Sequence, residues 1–270
     1  MRSSLTVSLV PEAAAGPFVF HGSLVDAVRS TREIGFRGIE IFPPDAHFAE
    51  AADLGRLLAD HNLELAAMGT GAGWLRQQLT LTGGDAHIRR RAIDFIRGII
   101  DLAGSHKAPA IVGSMQGRHG SGVDVETAHR HLAEALIELG AHAKAYGVPL
   151  LYEPLNRYET NLFTTLAATS KMLEPLGDAN VKILADLFHM NIEEADPATA
   201  LRDAGDRVGH VHFVDSNRRP AGMGHTDFAG IASALQAGDY RGWLSAEAFP
   251  YPDSLSAAKR TFDTFRRYFS

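Results

Sequence analysis

Tyr146-Gly147-Val148-Pro149-Leu150-Leu151-Tyr152-Glu153 reads as the end of a helix, a turn, a short apolar strand and an acid at the strand's far end. Glycine just past a helix supplies left-handed backbone, and an unbroken apolar run suits a strand covered on both faces. Ile34-Gly35-Phe36-Arg37-Gly38-Ile39-Glu40-Ile41 and Asp239-Tyr240-Arg241-Gly242-Trp243-Leu244-Ser245-Ala246-Glu247 repeat the plan. Outward from these, β-rich runs begin near Thr6, Gly38, Leu63, Ala110, Val148, Val181, Gly209 and Trp243, about 34 residues apart on average. Helical periodicity fills the gaps: Ile88, Ala92, Ile96, Ile99 and Ala103 share one face, as do Val125, Ala128, Leu132, Ala135, Leu139, Ala143 and Tyr146. Ser23-Leu24-Val25-Asp26 has the form of a capping box. Strict β-α alternation predicts parallel βαβ units, and eight of them predict an α/β fold of the (β/α)8 TIM barrel type. A doubly wound open sheet is the alternative, but the turn after its first strand is usually glycine-rich, and here it reads Pro11-Glu12-Ala13-Ala14-Ala15-Gly16. With no linker or low-complexity segment, residues 1–270 are expected to form one domain.

Composition narrows the function. Among 270 residues there is no cysteine, which excludes disulfides, Cys zinc sites and a Cys nucleophile. A net charge of −6 argues against nucleic-acid work, which needs a basic surface. No run approaches the roughly 18–20 apolar residues of a membrane span. The six strand-like residues Leu5–Val10 fall short of a secretory core of about 7–15, and Glu12 interrupts the stretch that follows. A cytoplasmic enzyme is the expectation.

Barrel chemistry sits at the C-terminal ends of the strands. Four strands end in ionisable residues: Glu153, Asp186, His212 and Glu247, each about one βα unit from the next. Three converging carboxylates repel one another unless a cation sits among them. Three oxygen donors and one imidazole suit a divalent ion, Mn2+ before Mg2+, Co2+ or Zn2+. Any one of the acids could instead cap the following helix. His210 points to the same face as His212 but lies ~6.6 Å further from the mouth, which makes it a core or supporting residue. His129 and His131, two apart on a helix, cannot face one point and are expected to be solvated.

Glu153-Pro154-Leu155-Asn156-Arg157-Tyr158-Glu159 resembles the E-x-x-N-R-x-E segment of ketose 3-epimerases of the D-tagatose 3-epimerase type, within the xylose-isomerase-like barrels. Asp186-Leu187-Phe188-His189-Met190-Asn191-Ile192-Glu193-Glu194 is similar to their D-x-F-H-M-N-I-E-E. His210-Val211-His212 followed by Asn217-Arg218 matches their H-x-H-x-x-x-x-N-R. The resemblance covers Val148 to Phe249 and is fold-level before that. It implies a metal-dependent isomerase of a sugar, forming a homodimer or homotetramer. Glu153, Asp186, His212 and Glu247 would be its ligands, and Glu153 and Glu247 its acid/base pair. Glu159, His189 and Arg218 would contact the ketose near its C1–C3 end. Without the family, Arg218 with Arg219 could be a solvated pair, and His189 a helix cap. Asp215 could support a ligand. Two loops expected to face the substrate, 114–119 and that carrying His225, depart from the family and leave the sugar, and its phosphorylation, open.

The implied chemistry inverts the carbon beside a ketone by removing a proton from one face and returning one to the other, through an enediolate. Glu153 and Glu247 lie on strands with two others between them, across the cation from each other. An aldose–ketose isomerase of the hydroxypyruvate or xylose type would use the same residues one carbon over. An inosose-type dehydratase and a non-catalytic sugar-binding relative are further readings. A three-zinc DNA-repair barrel would need histidines at the ends of strands two to four, which read Phe42-Pro43-Pro44, Met68-Gly69-Thr70 and, well past the fourth, only His119.

Overall fold

The computed structural model describes residues 1–269. Ser270, the last residue of the expected domain, lies outside them. Nine strands run β1 (Arg2–Ser8), β2 (Phe20–His21), β3 (Gly38–Phe42), β4 (Glu64–Gly69), β5 (Ala110–Val112), β6 (Leu150–Tyr152), β7 (Val181–Asp186), β8 (Val208–His212) and β9 (Trp243–Ala246). All pairings between named strands are parallel, each strand from β3 onward pairs with the next, and β1 pairs with both β3 and β9. The result is a closed eight-stranded barrel. The extra strand β2 lies against Val7 and Ser8, beyond the stretch of β1 that pairs with β9.

Among the described residues ten α-helices surround it: α1 (Leu24–Ile34), α2 (Leu54–Asp60), α3 (Ala72–Gln77), α4 (Ala86–Ser105), α5 (Val125–Lys144), α6 (Leu166–Leu173), α7 (Leu187–Glu193), α8 (Pro197–Ala204), α9 (Phe228–Ala237) and α10 (Ser254–Phe269). The faces of α4 and α5 read from periodicity are largely the buried ones, though Val125, at the start of α5, is exposed. At α1, Ser23 Oγ accepts the Asp26 N–H at 3.2 Å, and Gly35 closes the helix at φ +112°. The capping box is only half made, because the Asp26 carboxylate pairs with Arg29 instead of returning to Ser23. The third junction also differs from expectation, since its left-handed residue is Asp239, not a glycine. No described helix is long and apolar enough to cross a membrane.

Candidate active site

At the barrel mouth Glu153 follows β6, Asp186 ends β7, His212 ends β8 and Glu247 follows β9. One ligand-type atom from each lies within 4.8 Å of the others. His212 Nδ1 stands 3.2 Å from Asp186 Oδ2, 3.5 Å from Glu247 Oε2 and 3.6 Å from Glu153 Oε1. Asp186 serves twice: its Oδ1 accepts the N–H groups of Phe188 at 2.7 Å and His189 at 3.4 Å, capping α7, and its Oδ2 faces the cluster. Glu153 packs so closely on the end of β5 that a Cβ on Gly113 would stand 2.5 Å from its Oε2.

The other side of His212 faces a residue the sequence reading passed over. Glu40, buried in β3, places Oε1 3.0 Å from His212 Nε2 and Oε2 2.8 Å from His210 Nε2. A carboxylate only accepts, so both imidazoles carry a hydrogen on Nε2. When neutral, His212 then turns an Nδ1 lone pair toward the three carboxylates, as a metal-binding imidazole must. Glu40, His210 and His212 also form a set of potential ligands, but their short contacts are hydrogen bonds between one another. The available signal was a lone acid in the apolar run Gly38-Ile39-Glu40-Ile41-Phe42, whose burial demands a partner. His210 lies behind His212 as expected and holds Glu40.

Burial raises the Glu40 carboxyl, but His212 and His210 overcome it and hold Glu40 below the usual carboxylate range. Burial keeps His210 low against the pull of Glu40. His212 goes the other way: burial lowers it, yet the surrounding carboxylates, Glu247 and Glu40 foremost, hold it well above an ordinary imidazole. Burial, reinforced by Glu153 and Asp186 and opposed by His212 and Arg218, pushes Glu247 up to about 8.

Glu159, His189 and Arg218 line the same cavity, of about 350 Å³, with Glu153, His212 and Glu247. His189 Nδ1 accepts the Asn156 backbone N–H at 3.1 Å and lies 2.7 Å from the Asn156 side-chain Nδ2. Its Nε2–H is left buried and unpartnered, 3.8 Å from Glu153 Oε1. Asn156 Nδ2 also donates to Glu159 Oε1 at 3.0 Å, so one amide orients two site residues. Only its place in the E-x-x-N string hinted at this. Arg218 is not a solvated loop residue: its guanidinium donates to Glu247 Oε2 at 3.0 Å and Glu159 Oε1 at 3.4 Å and lies over the Phe188 ring.

Other expectations need correction. Asp215 accepts from the N–H groups of Ser216, Gly222 and Thr226 and so organises its own loop, with no hydrogen bond to a ligand-type residue of the cluster. His225 is exposed and lines a depression away from the cluster, whereas in loop 114–119 Ser114 does line the cavity. Arg219 stacks on Tyr251, outside the cavity lining. His129 and His131 are half-buried, not solvated, with His129 4.4 Å from the Phe163 ring.

Three carboxylates and one imidazole thus converge where the other cation at hand, Arg218, is engaged by Glu247 and Glu159. A divalent ion fits both the charge and the donor types.

The sequence pattern of the xylose isomerase-like TIM barrels matches residues 28–268. The chain is 33% identical to the L-ribulose 3-epimerase of Mesorhizobium japonicum over 222 residues, 82% of this chain and 73% of that one. It is 27% identical to the hydroxypyruvate isomerase of Escherichia coli over 243 residues, 87% and 90% of the two chains. The crystal structure of D-allulose 3-epimerase from Methylomonas sp. in complex with D-allulose superposes with a TM-score of 0.85 over 100% of this chain and 97% of that one; at 23% identity this is a likeness of fold.

Proposed function

The chain belongs to the xylose isomerase-like TIM barrel family and is an isomerase-class enzyme of sugars, and from that premise we propose that it inverts C3 of a ketose through a cis-enediolate. The observation that carries this reading is the placement of Glu153 and Glu247 just after β6 and β9, with β7 and β8 between them, around one four-residue cluster. One glutamate removes the C3 proton from one face and the other delivers a proton to the opposite face. His189, with its Nε2–H directed to the site, donates to a substrate oxygen, and Arg218 and Glu159 hold the hydroxyls beside the reacting carbon. Glu153, Asp186, His212 and Glu247 would hold one divalent ion, Mn2+ first. Such an ion polarises the ketone and offsets the charge of the enediolate.

This reading carries with it a cytoplasmic homodimer or homotetramer built from one domain per chain, without nucleic-acid or membrane partners. The match to hydroxypyruvate isomerase favours one second reading, aldose–ketose isomerisation by the same residues. Incubation with Mn2+ and a panel of free and phosphorylated ketoses in D2O, followed by NMR, separates the two. Deuterium at C3 with the epimer appearing establishes epimerisation, with Glu247→Gln as the inactive control. Deuterium at C1 or C2 with an aldose product moves the assignment to isomerase. No exchange with any sugar, although Mn2+ binds, removes both.

A further inference from the structure

The ketose cavity opens sideways. A second cavity, of about 540 Å³, adjoins the one of about 350 Å³, and Trp74, Ser114, Leu155 and Glu159 line both. Ligand pockets run from about 300 to 1,000 Å³, so the first alone suits a free monosaccharide, at the small end of that range. The larger space beside it is surplus to the reaction.

The two cavities differ in character. Glu12, Glu40, Glu153, Glu159 and Glu247 line the first, whereas Glu159 is the only acid lining the second. There the polar groups are Arg118, His119 and the hydroxyls of Thr80, Ser114 and Ser121. Arg118 is exposed, has no carboxylate within 4.0 Å among the described residues, and gives one long hydrogen bond of 3.4 Å to the Tyr158 carbonyl. Its guanidinium keeps most of its five donors free. Trp74, 39% exposed, offers an indole on the wall shared by the two spaces. An aromatic wall beside hydroxyl and guanidinium donors is the chemistry that receives a sugar ring: apolar C–H faces on the indole, hydroxyls on the edges. A phosphate would find one arginine in the second cavity and no lysine in either, and Arg218 in the first is already engaged by Glu247 and Glu159.

We propose that the substrate is a ketose carrying a second sugar residue on its terminal hydroxyl, the ketose lying over Glu153 and Glu247 and the second ring in the cavity walled by Trp74 and Arg118. The proposal rests on the reading of the first cavity as a ketose site.

The test takes the ketose that exchanges fastest in D2O and presents it to the Mn2+-loaded enzyme in three forms: free, glucosylated on the terminal hydroxyl, and phosphorylated there. The glucosylated form is expected to show kcat/KM at least tenfold above the other two. Arg118→Ala, a residue outside the lining of the first cavity, is expected to remove at least fivefold of that advantage while changing kcat/KM on the free ketose less than twofold. Equal or better turnover of the free or phosphorylated form overturns the proposal, as does an equal loss on all three in the variant. If no ketose exchanges, the activity reading falls on its own. The cavity assignment is then read by calorimetry with D-fructose, its 6-O-glucosyl derivative and its 6-phosphate: tightest binding of the glucosylated sugar supports it, and equal or weaker binding overturns it.

Discussion

Glu40 Oε1 lies 3.0 Å from His212 Nε2, on the side of the imidazole away from the other three members of the cluster. The contact fixes both the ring's orientation and its tautomer, and Glu40 is itself held by His210. Glu40→Gln keeps the volume but loses the charge and one acceptor. It is expected to weaken Mn2+ binding about 10–100-fold, the usual effect of losing a partner behind a ligating histidine. Glu40→Ala, which leaves the Nε2–H groups of His212 and His210 buried without their acceptor, is expected to cost the ion-free protein about 1–3 kcal/mol for each. Calorimetric titration with Mn2+ and thermal unfolding measure the two effects. Unchanged Mn2+ affinity in both variants would remove Glu40 from any role in holding the site.

Metal uptake is expected to release protons. In the ion-free protein His212 is held well above an ordinary imidazole and Glu247 is pushed up to about 8, so both carry protons at pH 7. An ion competes with protons for those atoms. Both shifts are upward, so Mn2+ affinity rises with pH through the neutral range and levels off once both groups have lost their protons. Titrations at pH 7 in two buffers of different ionisation enthalpy should report about one to two protons released per ion. Identical heats in the two buffers would mean that neither group is protonated beforehand.

The four cluster residues were legible because the fold repeats. Each of Glu153, Asp186, His212 and Glu247 stands at the end of the strand of one βα unit, so spacing alone brings them to one rim. Glu40 was hidden because its partners lie 170 and 172 residues away, across the barrel, where periodicity within one strand says nothing. The start of β1 was hidden for another reason: Arg2-Ser3-Ser4 lacks an apolar pattern, yet Ser3 and Ser4 are buried in the closed sheet. β2 has only two residues, too few for any alternation to register. Loop direction was not legible either. His225 and Ser114 looked equally suited to meet a substrate, and only Ser114 lines the cavity.

Asn156 tests orientation apart from metal binding. Its side-chain Oδ1 accepts the Tyr158 N–H at 2.9 Å, which aims Nδ2 at His189 Nδ1 and Glu159 Oε1. Asn156→Asp replaces the donor with an acceptor. His189 and Glu159 then lose the shared amide that orients them, and the Nε2–H of His189 is no longer held toward the substrate. The expected result is a loss of about 100-fold in kcat/KM, in the range of one positioned hydrogen-bond donor, with Mn2+ affinity within about twofold of the parent. A variant that loses Mn2+ and activity together would show instead that Asn156 supports the cluster.

Gly113 sets how close Glu153 can sit to β5. An added Cβ would meet Glu153 Oε2 at 2.5 Å. Gly113→Ala therefore displaces the glutamate, at a cost of about 1–3 kcal/mol for overpacking a filled position. Mn2+ affinity and kcat should each fall at least about tenfold, since a misplacement of ~1 Å in a positioned group can cost about 100-fold. Shortening the acid relieves the same clash, so the double variant Gly113→Ala/Glu153→Asp should be little worse than Glu153→Asp alone, the non-additivity expected of residues in contact. Additive losses across that cycle, measured by Mn2+ titration and initial rates, would mean that the glycine acts on the site by some route other than the Glu153 carboxylate.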